Sequence, residues 1–179
     1  MPTIDQSSGE VRVFTFKEGL LSAIAHDLEL AVERFTLTWD EAPSSEGHTK
    51  ITATFDAKSV RVLHAIAHGR PAPGTLSPRD LAKIEANIES DVLRSRAYPE
   101  VRFESSSIVR EGEGFVVRGA LTLTSRTNEI RADVRREGER WVTEVVIDQP
   151  RWGITPYSAM MGTLKIKPEV RVRVSVPAR

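Results

Sequence analysis

The sequence predicts an all-β protein: an antiparallel barrel of about eight strands, with one helix inserted near residues 77–95. Apolar residues recur at every second position along many segments, as in strands that bury one face. Short loops rich in glycine and charged residues, such as 111–114 and 137–139, separate several of these segments and are typical of hairpins. A set of antiparallel strands of this number closes into a barrel because closure leaves no free edge.

The first half of the chain contains a predicted strand at 11–16, a turn at 17–19 and a long strand with a break. Residues 26–32 carry apolar side chains on one parity and 35–39 on the other, which predicts a bulge near residues 33–34. Residues 40–50 are predicted as an exposed loop before a returning strand at 51–55. Glycine and proline predict a second loop at 64–75.

The helix has a clear start signal. Ser77 is the predicted N-cap, Pro78 the first helical residue, and Asp80 completes a capping box. The helix must end before Pro99, which disfavours helical geometry in the residue preceding it. One face carries an apolar stripe that predicts packing against the barrel: Leu81, Ile84, Ile88 and Val92.

The rest of the chain is a succession of predicted strands, at residues 101–109, 114–124, 128–136, 140–148 and 163–176. We interpret residues 1–179 as one domain, a size that suits a barrel around a core or a small cavity.

Composition excludes several classes of function. Twenty-five basic and 25 acidic residues give no net charge, which disfavours nucleic-acid binding, and the chain has no cysteine for thiolate chemistry. No apolar run is long enough for a membrane-spanning helix. The first ten residues lack the features of a secretory signal, so the predicted location is the cytoplasm.

Three segments carry a resemblance to a known family. Residues 98–105 (Tyr-Pro-Glu-Val-Arg-Phe-Glu-Ser), 119–124 (Gly-Ala-Leu-Thr-Leu-Thr) and 128–134 (Asn-Glu-Ile-Arg-Ala-Asp-Val) resemble the core motifs of the YceI-like, polyisoprenoid-binding family. The resemblance covers roughly residues 10–176. It implies a bacterial, lipocalin-like barrel whose apolar bore takes an isoprenoid chain and whose helix packs beside it.

A small barrel is either filled by its own side chains or holds one ligand. Val, Leu, Ile and Phe dominate the alternating positions, so a ligand would be mostly hydrocarbon. With the resemblance, we predict non-catalytic binding, storage or transport of a long apolar ligand such as a polyisoprenoid lipid or isoprenoid quinone, with no other cofactor. Two alternatives stay open: an enzyme acting on a lipophilic substrate through His26, and a packed barrel that serves protein interactions. A homodimer is a further predicted assembly.

The candidate ligand-binding residues fall into three groups. His26 shares parity with Leu28 and should point inward, either to bond a ligand or as a satisfied core histidine. Trp152 and Tyr157 belong to an aromatic segment that either edges the mouth or fills the core. Arg151 in the same segment is a candidate cation for an anionic head group, or else a partner in a surface salt bridge. The predicted wall of the bore comprises Phe14, Phe16, Leu28, Phe103, Phe115, Val117, Leu121 and Leu123.

A metal site is not predicted. His64 and His68 have the four-residue spacing of helical metal ligands, but they fall in a predicted loop and lack a third ligand. Serines without a nucleophile-elbow pattern and scattered carboxylates give no indication of catalysis.

Overall fold

The computed structural model describes residues 2–19, 25–40 and 49–178, the side chain of Met160 excepted. One α-helix, α1 (Pro78–Asn87), continues into a π-helical turn (Ile88–Val92), and short 3₁₀ turns span Ala57–Ser59, Gln149–Trp152 and Met160–Gly162. The strands are β1 (Thr3–Asp5), β2 (Glu10–Thr15), β3 (Lys17–Glu18), β4 (Asp27–Val32), β5 (Phe35–Asp40), β6 (Lys50–Asp56), β7 (Val60–Ala67), β8 (Arg70–Ala72), β9 (Glu100–Glu111), β10 (Gly114–Leu123), β11 (Arg126–Glu137), β12 (Arg140–Asp148), β13 (Ser158–Ala159), β14 (Leu164–Ile166) and β15 (Glu169–Pro177).

The strands form a curled, wholly antiparallel sheet. From β9 the pairing runs through β10, β11, β12, β15, β2 and β4, and at the other side β9 pairs with β6. β4 continues into β5, and β6 continues into β7. Since β4 pairs with β7 and β5 pairs with β6, the sheet closes on itself. Its eight members are β2, β4–β5, β6–β7, β9, β10, β11, β12 and β15. The predicted lipocalin-like barrel is confirmed.

A bent hairpin makes the closure possible. The bend lies at residues 33–34 on one strand and at the 3₁₀ turn Ala57–Ser59 on the other. Hydrogen bonds continue across it, from Glu33 N to Ser59 O at 3.0 Å and from Asp56 N to Arg34 O at 3.0 Å. Ser59 Oγ also accepts from Arg34 N at 2.9 Å. In place of the bulge predicted near residues 33–34, the structure has an interruption of the strand at these residues, and this bend lets one hairpin follow the curvature of the barrel.

The helix covers a place where the sheet is incomplete. β9 pairs with β6 but not with β7, and α1 lies against β7 in the space that results. The side chain of Glu85 accepts a hydrogen bond from Val62 N at 2.9 Å, which satisfies a donor on the unpaired edge of β7. Ser77 and Asp80 form the predicted capping box, with Pro78 as the first helical residue.

Some boundaries differ from the predictions. The prediction of a loop at residues 64–75 is wrong, because β7 runs to Ala67 and β8 forms a hairpin with it. A second, three-stranded sheet in the order β13–β14–β3 was not predicted. β14 and β15 replace the single strand predicted at 163–176, β3 lies in the predicted turn at 17–19, and β13 lies in a segment with no predicted strand. Most of the predicted loop at 40–50 lies outside the described residues.

Candidate ligand-binding cavity

The barrel encloses a cavity of about 500 Å³, within the ~300–1,000 Å³ range of small-molecule sites. Its wall is built mainly from valine, leucine, isoleucine and alanine side chains that point inward from alternate strand positions. Every strand of the barrel contributes, as do α1 and the π-helical turn. Representative wall residues are Val13, Leu30, Ala53, Val117, Ala132 and Val172.

The cavity is bounded at one end by packed side chains. Ile4, Val11, Val32 and Phe35 form a buried cluster there, with Phe55 6.3 Å from Phe35 between ring centroids. Nearby valines from β15 pack on the same cluster. Protein side chains therefore fill this end, and the void begins beyond them. We call it the packed end.

Polar groups in the wall gather mainly at the other end, which we call the rim. His26 precedes β4 and is half-buried, Tyr157 precedes β13, and Lys165 lies on β14. Asn87 at the end of α1 donates to Tyr157 Oη at 3.4 Å. The phenol proton of Tyr157 is therefore available to another acceptor.

The rim elements are held to each other by hydrogen bonds from backbone amides. Lys17 N donates to Asp27 Oδ1 at 2.7 Å, which ties β3 to the start of β4 beside His26. Ile166 N donates to Tyr157 O at 3.0 Å, and Lys167 N donates to Phe16 O at 2.8 Å. These bonds bring residues from distant parts of the sequence to one end of the barrel.

One wall hydroxyl is unsatisfied. Thr15 Oγ1 is buried and has no hydrogen-bond partner among the residues that the structure describes. Thr15 ends β2 and lines the cavity near the rim. A buried hydroxyl without a partner is unfavourable, so a ligand oxygen at this point would gain a hydrogen bond at little cost.

Among the described residues, one carboxylate, that of Asp56, reaches the wall, at the bend of the hairpin. Partial burial opposes its ionisation, but hydrogen bonds from the Arg34 guanidinium and from Lys58 N outweigh burial and lower the pKa of Asp56. Arg34 Nη2 lies 2.7 Å from Asp56 Oδ2. Arg34 thus neutralises the charge of Asp56 within the protein, and this ion pair stabilises the bend of the hairpin.

The structure places seven of the twelve candidate residues in the cavity wall. His26 and Tyr157 lie at the rim, and Leu28, Phe103, Val117, Leu121 and Leu123 lie along the strands. That these residues bind a ligand stays a prediction.

Two other candidates, Phe14 and Phe16, lie outside the wall of the cavity. Phe14 is on the opposite face of β2 from Val11 and Val13, where it neighbours Glu29 and Arg171 across the strands. Phe16 lies beneath the Arg171 guanidinium, 5.5 Å from the ring centroid. Both phenylalanines lie outside because the side chains of β2 that point inward are those at odd-numbered positions, and Phe14 and Phe16 are at even-numbered ones.

Three further candidates, Phe115, Arg151 and Trp152, also lie outside the cavity wall. Phe115 packs edge to face on Trp141 at 5.2 Å. Arg151 is exposed and stacks on Trp152 at 5.2 Å. Trp152 is 1 % exposed and donates from Nε1 to Leu121 O at 2.9 Å. The Trp152 ring packs behind the cavity wall at the point where β11 and β12 are no longer paired, and it fills the gap between these two strands.

Sequence reasoning missed several wall residues. Val11 and Val13 belong to the inward parity of β2, and that signal was present in the sequence. Ile84 and Ile88 were identified as a helix face, yet this face lines the cavity. No local sequence pattern identified Lys165 and Gln149 as wall residues, because tertiary pairing of distant segments brings them to the cavity.

The histidines His64 and His68 do not form a pair. His64 lies on β7, and its Nε2 is 2.7 Å from Glu29 Oε2 on the outer wall, where Arg12 Nε is 3.7 Å from the other carboxylate oxygen. His68 is in the β7–β8 turn with a positive φ of 51°. Within residues 2–19, 25–40 and 49–178, no group of three or more His, Cys, Asp or Glu side chains is placed to hold a metal ion.

A family model supplies the relationship to known proteins. The model of the YceI-like domain matches residues 3–178, almost the whole chain. The chain belongs to the YceI-like domain family. No curated protein sequence matches this YceI-like chain.

Solved structures with this fold share little sequence with it. BcnA from Burkholderia cenocepacia superposes with a TM-score of 0.68 at 16 % identity, covering 98 % of this chain and 99 % of that one. A polyisoprenoid binding domain from Saccharophagus degradans gives 0.59 at 10 % identity, covering 97 % and 94 %. The YceI protein of Campylobacter jejuni gives 0.53 at 13 % identity, covering 85 % of each chain. These similarities establish the fold. Among the described helices, none is long and apolar enough to cross a membrane.

Proposed function

We propose that this YceI-like protein binds one long apolar molecule, such as a polyisoprenoid lipid or isoprenoid quinone, and carries or stores it without chemical change. The observation that carries the proposal is the cavity of about 500 Å³ inside the barrel, with a wall that is almost entirely hydrocarbon. The similarity in fold to the polyisoprenoid binding domain from Saccharophagus degradans supports the choice of ligand class.

Burial of the chain supplies the binding energy in this proposal. Each methylene removed from water contributes about 0.8 kcal/mol, so a prenyl tail needs few polar contacts. Between the packed end and the rim, the described wall residues present no unpaired charge to a ligand, since the carboxylate of Asp56 is already paired with Arg34. A branched, flexible hydrocarbon suits a wall of valines, leucines and isoleucines.

The rim would set the orientation of the ligand. Tyr157 and His26 offer hydrogen-bond donors, and Lys165 offers a cation, all beside the same opening. Thr15 adds a hydroxyl that lacks a partner among the described residues. A head group with acceptor oxygens, such as a carbonyl, would therefore lie at the rim, with the tail extending toward the packed end.

Binding without catalysis is part of the proposal. His26 has no carboxylate hydrogen-bonded to it among the residues described, so nothing there orients it as a general base. The His26→Gln variant tests this point. We expect it to fold normally and to lose at most about tenfold in ligand affinity, the value of one hydrogen bond. Turnover of a lipophilic substrate that disappears in His26→Gln would instead establish the enzymatic alternative.

Mass spectrometry of organic extracts from the purified protein tests the function itself. We expect about one molecule of a prenylated lipid per chain, and we expect the ligand-free protein to bind an added prenyl probe. Extracts without lipid, combined with no probe binding, would refute the proposal and favour the interaction module. The cytoplasmic location and the homodimer stay predictions.

A further inference from the structure

The hydroxyl of Thr15 lies inside the rim, in hydrocarbon surroundings. Thr15 pairs with Leu28 across β2 and β4, and both residues line the cavity. The hydroxyl oxygen is buried and has no partner among the described residues. β4 runs from the rim to Val32 in the packed end, so His26, two residues before Leu28, lies about 6–7 Å nearer the opening. A ligand oxygen that reaches Thr15 therefore enters the barrel past His26.

An uncharged oxygen suits this position better than a charged one. A hydroxyl both donates and accepts, so Thr15 can bond a carbonyl, ether or hydroxyl oxygen of a ligand. Tyr157 adds a second hydroxyl, which accepts from Asn87 Nδ2 at 3.4 Å and keeps its proton for another acceptor. A phosphate ester carries about −1.5 to −2 charge at pH 7. Burying such a charge costs far more than burying a neutral oxygen, and a hydroxyl does not neutralise it.

The lysine of the described wall, Lys165, has a carboxylate beside it. Lys165 on β14 lies directly opposite Glu18 on β3, which places their Cβ atoms about 4.5–5.5 Å apart. Lys165 can donate a hydrogen bond to a ligand oxygen, but an anion near its ammonium group would also lie near Glu18. A second carboxylate, that of Asp27, is fixed next to His26 by its bond from Lys17 N at 2.7 Å. Positive and negative charges at the rim are thus interspersed.

The helix presents its negative end to the cavity. Val92 and Leu93, at the end of the π-helical turn that continues α1, line the cavity. The C-terminal end of a helix carries partial negative charge and the N-terminal end partial positive charge. The positive end of α1 is capped by Ser77 and Asp80. The dipole of the helix therefore disfavours an anionic head group in this cavity.

We propose that the rim selects prenyl lipids with an uncharged, oxygen-bearing head group and discriminates against the phosphate and diphosphate esters of the same chain. Thr15 and Glu18 are the specificity-determining residues. The Thr15 hydroxyl bonds a neutral head-group oxygen, and the Glu18 carboxylate repels an anionic one. This inference rests on the proposed function, because it names the head group of the apolar ligand in the same cavity.

Competition between prenyl compounds of one chain length tests the selection. The ligand-free full chain is loaded with a fluorescent apolar probe, which is displaced by geranylgeraniol, geranylgeranyl diphosphate or the oxygen-free hydrocarbon phytane, each below its micellar concentration. We expect the wild type to bind the alcohol at least about tenfold more tightly than the diphosphate. Thr15→Val should lose about fivefold in affinity for the alcohol and nothing for phytane, at unchanged stability, because valine has nearly the same shape without the hydroxyl.

The Glu18→Lys variant tests the contribution of charge separately. At low ionic strength it should bind the diphosphate about fivefold more tightly than the wild type does and the alcohol equally well. Glu113→Lys is the matched control, because it makes the same change of charge in the turn between β9 and β10. Strand register places this turn at the level of the packed end, so neither affinity should change.

Three results would overturn the selection. They are equal or tighter binding of the diphosphate by the wild type, a Glu18→Lys variant that behaves as Glu113→Lys does, and a Thr15→Val variant that keeps its affinity for the alcohol. In each case phytane binding would show that the cavity still takes an apolar chain, so the proposed function would stand. Absence of binding by the alcohol and by phytane alike would refute the proposed function, and the selection with it.

Discussion

Replacement of Ala132 by phenylalanine would place a ring inside the cavity. Ala132 lies on β11, is 8 % exposed and lines the cavity between Ile130 and Val134. Its neighbour across the pair with β10 is Val117, which lines the cavity too. The added ring would therefore extend into space that the protein leaves empty.

The expected effects on binding and on stability have opposite signs. The ring would displace roughly one five-carbon unit of the bound chain, and at about 0.8 kcal/mol per methylene this costs about 4 kcal/mol, or about a thousandfold in Kd. The ligand-free protein should not lose stability. Filling a cavity in this way commonly raises the free energy of unfolding by about 0.5–2 kcal/mol.

Titration with a fluorescent prenyl probe measures the affinity, and denaturant unfolding measures the stability. Ala120→Phe is the matched control, because Ala120 is exposed on the outer face of β10 beside Glu104 and Glu129. The same side chain is added there outside the barrel, and probe affinity should not change. If Ala132→Phe folds and binds the probe within about threefold of wild type, the ligand does not occupy this cavity.

Two further predictions concern the elements that hold the wall in place. Ser77→Ala removes the side chain that accepts from Asp80 N, and denaturant unfolding should show a loss of about 1 kcal/mol; an unchanged midpoint would mean that the capping box contributes nothing. Asp56 is stabilised in its ionised form because, despite partial burial, bonds from Arg34 and Lys58 lower its folded pKa. Its contribution is present above the unfolded pKa of about 3.9 and is lost as pH falls through the lower folded pKa. The difference in unfolding free energy between wild type and Asp56→Asn should therefore shrink below about pH 4, and a difference that is constant with pH would contradict this cause.

Much of the fold was accessible from the sequence because local patterns determine it. Alternating apolar residues identified most of the strands, and the capping box of Ser77 and Asp80 identified the start of α1 within one residue. The parity change around residues 33–34 identified the bend. These signals are local, and the structure adds the pairing that turns them into a closed barrel.

The candidate site was less accessible, because it depends on which face of each strand points inward. On β2 both faces are partly apolar, so pattern alone did not separate Val11 and Val13 from Phe14 and Phe16. Pairing with β4 and β15 decides the question. The rim was harder still to predict, because Lys165 reaches the cavity through the small β13–β14–β3 sheet, whose strands are too short to show a sequence period.

The void persists in part because most of the phenylalanine and tryptophan rings are placed away from it, with Phe55 and Phe103 as the rings that line it. Trp152 seals the separation between β11 and β12 from behind the wall. The rings of Phe115 and Trp141 pack on each other on the inward face of the sheet, beyond the wall residues Val117 and Thr143. The inward positions of the central strands carry short side chains such as those of Ala53 and Ala132. Side chains of this size are too short to meet across the barrel, so the middle stays open while the packed end does not. The proposed ligand, an elongated molecule with one polar end, would match this space, because the polar side chains of the described wall lie mainly at the rim.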